Sequence, residues 1–335
     1  MTSMMPAILP QFTAKLFTRL RPATENNLAY PMEAYQQTLR RAVDCQGVGL
    51  HSGKSVHLTI KPAPVGSGIR FIRTDLGGKS VAAQVEKVIN TTLATTLGEG
   101  TGAGACTVST TEHLLAALRG CGIDNADIEL DGPEVPIMDG SAAPFCALIA
   151  ETGLSRQNDL RIALRVTKPI YYEEGEKRLA IFPFAGFTVC EEIIFDDDII
   201  QRQRCSTVLR GDHFLADIAP ARTFGRAEDV EFLWERGLAL GGSLDNVVTI
   251  HWDRKSVLNE GGLRFDNEFA RHKVLDLIGD LSLLGFPLLG RVHAFKVGHT
   301  QHVGLMKKIA ASPDSWELVQ LLPGGRFRRA YSRAM

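Results

Sequence analysis

Ser155-Arg156-Gln157-Asn158-Asp159 is a run of five polar residues, and the patterns on its two sides match. Before it, Val56, Leu58 and Ile60 alternate with His57 and Thr59, the period of a half-buried strand. Ile69 with Phe71, and Ala126 with Ile128 and Leu130, repeat that period. The glycine-punctuated run 47–53 is a turn, and Gly98, Gly100, Gly102 and Gly104 mark a loop. Ser109-Thr110-Thr111-Glu112 fits a capping box with Ser109 as the cap. The helix it opens runs through Leu114, Leu115 and Leu118 and stops near Gly120 and Gly122. Asp139-Gly140-Ser141 is a tight turn, and Pro144 opens a second helix that ends near Gly153.

After the polar run the pattern restarts. Ile162, Leu164 and Val166 alternate, then Leu179 and Ile181, then Phe187, Val189, Ile193 and Phe195. Val230, Leu233 and Trp234 lie on one stripe of a short helix, closed by Gly237 and the pair Gly241-Gly242. An apolar strand at 247–250 precedes a long helix over 268–284, stopped by Gly285, and a last strand at 292–296. Strands followed by helices thus occur twice. That predicts an α+β chain of two sandwich domains of similar build, each with helices on one sheet face. The polar run is the linker, so the domains are 37–156 and 157–320. Residues 1–36 form a flexible extension or an over-long start; an organelle address is the alternative, since the first 24 hold Lys15, Arg19 and Arg21 and no acid. Residues 321–335 are a basic tail with Arg326, Arg328, Arg329 and Arg333, read as solvated, or as a weak contact with an anionic membrane surface.

Composition narrows the function. The 335 residues carry a net charge of −1, which argues against wholesale nucleic-acid binding. Six scattered cysteines without a CxxC pair fit a reducing compartment, and argue against a disulfide scaffold or a zinc ribbon. No apolar run approaches the ~18 residues of a membrane span.

Two fragments carry chemistry. Glu112-His113 stands at the mouth of the first helix. Arg271-His272-Lys273-Val274-Leu275-Asp276 lies in the long helix, with His272 and Asp276 four apart on one face. Two imidazoles and a carboxylate are the ligand set of an open catalytic zinc site, with Glu112 placed as general base for its water. Such a site would lie between the domains. Asp280 continues the stripe of His272 and Asp276, while Val274, Leu277, Ile278 and Leu281 form the buried one. Taken singly, each fragment is also that of an ordinary helix: a local His–Asp pair, a capping glutamate. His299 is a proton donor or a surface histidine, and Thr223 alone says nothing. Metal binding needs both fragments together.

In order, the chain holds Gly47-Val48-Gly49-Leu50-His51-Ser52-Gly53, Ser109-Thr110-Thr111-Glu112-His113-Leu114 and Pro136-Ile137-Met138-Asp139-Gly140-Ser141-Ala142. Ala221-Arg222-Thr223-Phe224-Gly225, Gly241-Gly242-Ser243, Arg271-His272-Lys273-x-x-Asp276-x-x-Gly279-Asp280 and Ala294-Phe295-Lys296-x-Gly298-His299 follow. Together they closely resemble the UDP-3-O-acyl-N-acetylglucosamine deacetylase (LpxC) family, over about residues 37–320. The resemblance implies two domains of one β-α-α-β topology, packed helix face to helix face, each with a small insert. It implies one catalytic zinc ion, and removal of acetate from UDP-3-O-acyl-N-acetylglucosamine in the committed step towards lipid A.

By motif, His113, His272 and Asp276 match the zinc ligands, and Glu112 the general base on the zinc-bound water. His299 matches the cation that stabilises the oxyanion and protonates the leaving amine, Asp280 its orienting partner, and Thr223 a hydroxyl near the reacting carbonyl. Lys273, Lys296, Phe195 and Phe224 match the substrate side of the cleft. The second insert, about 226–245 with Leu238, matches the tunnel for the 3-O-acyl chain; ordinary core is the alternative there. The glycine pair after it favours the tunnel, because it lets backbone approach a ligand. His51 lies in a family motif near the site. A cytoplasmic monomer of a Gram-negative bacterium is expected, a plant organelle being the alternative source. An amidase for another nucleotide sugar, and a non-catalytic relative, are the competing readings. The latter would be expected to lose a ligand, the base or the acid, and Glu112, His113, His272, Asp276 and His299 are all present.

Overall fold

A computed structural model describes residues 28, 29 and 32–330; most of the 1–36 extension and residues 331–335 lie outside it. The described residues form a mixed α/β structure with six helices, several of them short: α1 Glu112–Gly120, α2 Ala143–Thr152, α3 Gly211–His213, α4 Val230–Trp234, α5 Glu268–Leu281 and α6 His299–Ala310.

The first large sheet has five strands in the order Val43–Val48, Ser55–Pro62, Ala126–Leu130, Ile69–Arg73, Lys79–Ala82. The alternation seen in the sequence is the pleat: Val56, Leu58 and Ile60 are fully buried while Ser55 and His57 are exposed. Helices α1 and α2 pack together, and α2 also meets the first strand. Pro144 stands in the first turn of α2, and Gly153 closes it at φ 71, a conformation costly for any residue with a Cβ.

The second large sheet has eight strands. Ile170–Glu174, Lys177–Phe182, Leu288–Phe295, Ile162–Val166, Trp316–Leu322 and Arg326–Arg329 follow one another, and Phe187–Ile194 runs parallel to Leu288–Phe295 with Arg202–Val208 outside it. Helix α5 lies on Phe187–Ile194 and Arg202–Val208, and α6 on Ile170–Glu174 and Lys177–Phe182. α5 also packs against α1. It therefore has neighbours on two sides, and all its residues except Arg271 and Lys273 are buried, both expected stripes included. One apolar cluster runs from Leu58, Phe71 and Leu115 through Leu277 and Ile278 to Val189 and Ile193.

Three expectations need correction. The polar run 155–159 is no loose linker: it lies in the strand Leu154–Leu160, paired antiparallel with Tyr35–Leu39. That two-stranded ribbon is mostly half-buried and its Leu154–Leu160 strand is polar, so it lacks the apolar alternation by which strands are read. Residues 321–330 are not a tail, because Trp316–Leu322 turns back into Arg326–Arg329 and Phe327 is buried against Val319 and Leu321. The glycine loop is present as expected between two strands, Thr96–Glu99 and Cys106–Val108, of a three-stranded sheet with Val88–Asn90; of its glycines Gly98 alone lies in a strand. Ser109 does not cap α1. The helix starts at Glu112 after Thr111, with no side-chain cap, and the Ser109 hydroxyl meets that of Thr96 at 3.0 Å.

Candidate metal centre

The start of α1 is bent sharply to aim two side chains inward. Thr110 sits at φ 57, a left-handed conformation that a β-branched residue adopts only under strain. Its hydroxyl donates to Glu134 Oε1 at 2.7 Å. Glu134 also accepts the backbone N–H groups of His51 and Ser52, so one buried carboxylate ties the 49–53 turn to the mouth of α1. Beyond the bend, Glu112 and His113 are both buried.

The opposite wall is α5. Glu268 in its first turn is fully buried and accepts from Arg222 Nε at 2.8 Å and from the Arg222 backbone at 3.0 Å. This pins the 221–223 loop, and the Ala221 carbonyl lies 3.1 Å from His272 Nδ1. With Nδ1 donating there, the Nε2 lone pair of His272 is free to bind a cation. Burial lowers the His272 pKa to about 4, although Asp276 opposes this, so the ring is neutral.

His113, His272 and Asp276 converge. Asp276 Oδ1 is 3.3 Å from His272 Nε2 and 3.6 Å from His113 Nε2, and the two rings meet edge to face at 4.9 Å. Asp276 Oδ1 is buried and has no hydrogen-bond partner among the described residues. Ligands ~2.0–2.1 Å from a tetrahedral ion stand roughly 3.3–3.4 Å apart, so the donor set and its spacing fit zinc. Burial works against the Asp276 carboxylate, but His272 and Lys273 hold its pKa well below the usual range. Lys273 Nζ donates to Asp276 Oδ2 at 2.7 Å, which occupies the lysine beside the expected ligand.

A second buried group adjoins the first. Asp280 Oδ2 is 2.7 Å from the Nδ1 atoms of both His299 and His302, and Asp280 Oδ1 accepts from Thr95 Oγ1 at 2.7 Å. His299 Nε2 faces Glu112 Oε1 at 3.7 Å, and Glu112 Oε2 accepts the Thr95 N–H at 3.1 Å. Burial pushes the His299 pKa down, but Asp280 and Glu112 outweigh it and raise the value to about 9. Burial raises the Glu112 pKa, partly offset by His299 and His113.

The other expected residues lie at varied distances from this centre. Phe224 is 6.2 Å from the His272 ring and 5.8 Å from Phe195, which links both to the metal group. The Thr223 backbone bonds Gly140 and Val248. Lys296, at φ 55, holds Glu176 at 2.9 Å. His51 accepts the Ala239 N–H on Nδ1, and its pKa is lowered by burial. Leu238 is half-buried, next to the exposed Phe232, Trp234, Leu240 and Leu244. The α4 stripe is therefore not core. Gly241 does permit a close backbone approach, but to the Gly49 carbonyl, 2.2 Å from where a Cβ would stand. Thr95 and Glu134 carry no sequence signal of their own, and His302 has one only in its helical spacing of three from His299.

Two imidazoles, one carboxylate and an adjacent glutamate–histidine pair define a class, the metal-dependent hydrolases. The model of the LpxC family, UDP-3-O-acyl N-acetylglycosamine deacetylase, matches residues 36–311. Proteins named UDP-3-O-acyl-N-acetylglucosamine deacetylase are similar along most of their length. That of Myxococcus xanthus is 46% identical over 290 residues, 86% of this chain and 90% of its own. Those of Acidithiobacillus ferrooxidans and Syntrophotalea carbinolica are each 46% identical over 287 residues, 85% of this chain and 92% and 91% of theirs. The chain belongs to the LpxC family of zinc amidases. No helix among the described residues is long and apolar enough to cross a membrane.

Proposed function

We propose that this chain hydrolyses the acetamide of UDP-3-O-acyl-N-acetylglucosamine, giving acetate and UDP-3-O-acyl-glucosamine, on the way to lipid A. The observation that carries the reading is the approach of Asp276 Oδ1 to two imidazole Nε2 atoms, with Glu112 and His299 beside them. His113, His272 and Asp276 would hold one zinc ion. When bound, it polarises the acetamide carbonyl and lowers the pKa of a water towards ~7.

Glu112 is the base. Its Oε2 is fixed by Thr95, which leaves Oε1 to take the proton of the attacking water. His299 is the cation and acid. With Nδ1 on Asp280, its Nε2–H stabilises the developing oxyanion and then protonates the departing nitrogen as the C–N bond breaks. Amide nitrogen leaves poorly unless protonated, so a histidine that stays charged near neutrality suits the step.

On this reading Thr223 adds a hydroxyl near the reacting carbonyl, and Phe195, Phe224, Lys273, Lys296 and His51 bind the sugar nucleotide. The exposed apolar side chains of the 226–245 insert, with Leu238, take the acyl chain. The packing of α1 on α5 supports two β-α-α-β sandwich domains, 37–156 and 157–320, meeting helix face to helix face. The enzyme would act as a monomer in a Gram-negative cytoplasm, without nucleic acid. Acetate release from UDP-3-O-acyl-N-acetylglucosamine, beside UDP-N-acetylglucosamine, tests the substrate. Turnover of the acylated compound alone is expected; equal turnover of both would remove the acyl chain from the account.

A further inference from the structure

We propose that His302 is a positioning residue for the acid–base pair: it holds Asp280 from the side opposite His299 and takes a share of that carboxylate's charge. The inference rests on the function proposed above.

His302 is three residues beyond His299 on α6, so both rings project from one face of the helix. The rings are 5.8 Å apart and nearly perpendicular, and both Nδ1 atoms stand 2.7 Å from the same oxygen, Asp280 Oδ2. His302 is fully buried. It has no surface to offer a substrate, so its effect must pass through Asp280.

The protonation states follow from the neighbours. Asp280 accepts from both rings, so each carries a proton on Nδ1. A second proton on both would bring two cations to one carboxylate. His299 is the better placed to be charged, because Glu112 also faces it at 3.7 Å. Asp276, Glu191 and His51 act on His299 from further off. His302 is acted on by Asp280, His299 and Lys273, and burial keeps it neutral. A neutral donor on a carboxylate stabilises the anion without cancelling it. His302 thus makes Asp280 a weaker attractor for the His299 proton while preventing the carboxylate from turning away. With Thr95 on Oδ1, Asp280 is held by three donors.

The test is a histidine-15N NMR titration of the zinc-loaded protein, run beside the pH profile of kcat, for wild type, His302→Leu and His302→Asn. In the wild type, His302 should stay neutral with its proton on Nδ1 from about pH 7 to 9. In His302→Leu, the His299 pKa should rise by about one unit and kcat should fall about tenfold or more. In His302→Asn, whose amide can donate from a similar place, both should stay near wild type. A wild-type His302 that is cationic in that range overturns the proposal, even if the leucine variant fails to fold. So does an unmoved His299 titration in a folded leucine variant, or equal behaviour of both variants. The NMR readout needs no turnover, so absence of deacetylase activity would count against the proposed function and leave this inference to be judged by itself.

Discussion

Gly279 of α5 passes so close to Glu112 of α1 that a Cβ on it would stand 2.0 Å from the Glu112 carbonyl oxygen. The helix that carries Asp276 and Asp280 and the helix that carries the base meet backbone to backbone at this point. Gly279→Ala decides how much depends on it. Helix propensity alone would make alanine stabilising by ~1 kcal/mol. The clash is with backbone, which has no rotamer to escape into, so a net loss of about 1–3 kcal/mol is expected. Displacing the base by a fraction of an ångström should also cut kcat about 100-fold. Thermal unfolding with single-turnover rates checks both; a more stable and fully active variant would contradict the close approach.

The charge on His299 predicts a basic limb in the pH profile of kcat near 9, since Asp280 and Glu112 outweigh burial. Asp280→Asn removes one of those charges, so the limb should move down by at least one unit and kcat should fall about 10²–10⁴-fold. The same pKa gives a sign for stability. A histidine raised above its unfolded ~6.5 contributes fully below that pH, and its contribution is lost as pH rises through 9. A limb that stays in place in the variant would assign it to another group.

Glu191 gives the same sign at lower pH. It is fully buried on the strand beneath α5, neither oxygen has a hydrogen-bond partner among the described residues, and burial raises its pKa to about 8. The folded chain keeps this proton while the unfolded chain loses it near 4.5. Stability should therefore fall as pH rises from about 4.5 to 8, by a few kcal/mol at most. Glu191→Gln should flatten that dependence when chemical denaturation is followed at several pH values. An identical slope in the variant would show that the acid is ionised inside the fold.

Much of the site is legible in the sequence because its spacings are local. His272 and Asp276 share a helix face at four residues, and Glu112-His113 opens a helix. What the sequence hides depends on long-range contacts. Thr95 matters because Asp280, 185 positions later, comes to its hydroxyl and Glu112 comes to its N–H. Ser109 and Glu112 have the spacing of a capping box, yet Glu112 is drawn inward to Thr95, and Ser109 joins strand backbone at Glu134. Leu154–Leu160 and Arg326–Arg329 are hard to read as strands because polar and charged edge strands carry little apolar alternation. The signal of His302 is weak for a simpler reason: two histidines three apart in a helix are ordinary until the carboxylate they share is known.

The central claim is one zinc at His113, His272 and Asp276, with Glu112 as base. The most direct measurement is zinc content together with acetate release, for wild type, His272→Ala and Glu112→Gln. The account predicts one zinc per chain and turnover in the wild type, with turnover lost on chelation and restored by zinc. It predicts loss of both zinc and turnover in His272→Ala. Glu112→Gln should keep the zinc and lose about 10²–10⁴-fold in kcat. Full zinc and full rate in His272→Ala, or an unimpaired Glu112→Gln, would contradict it.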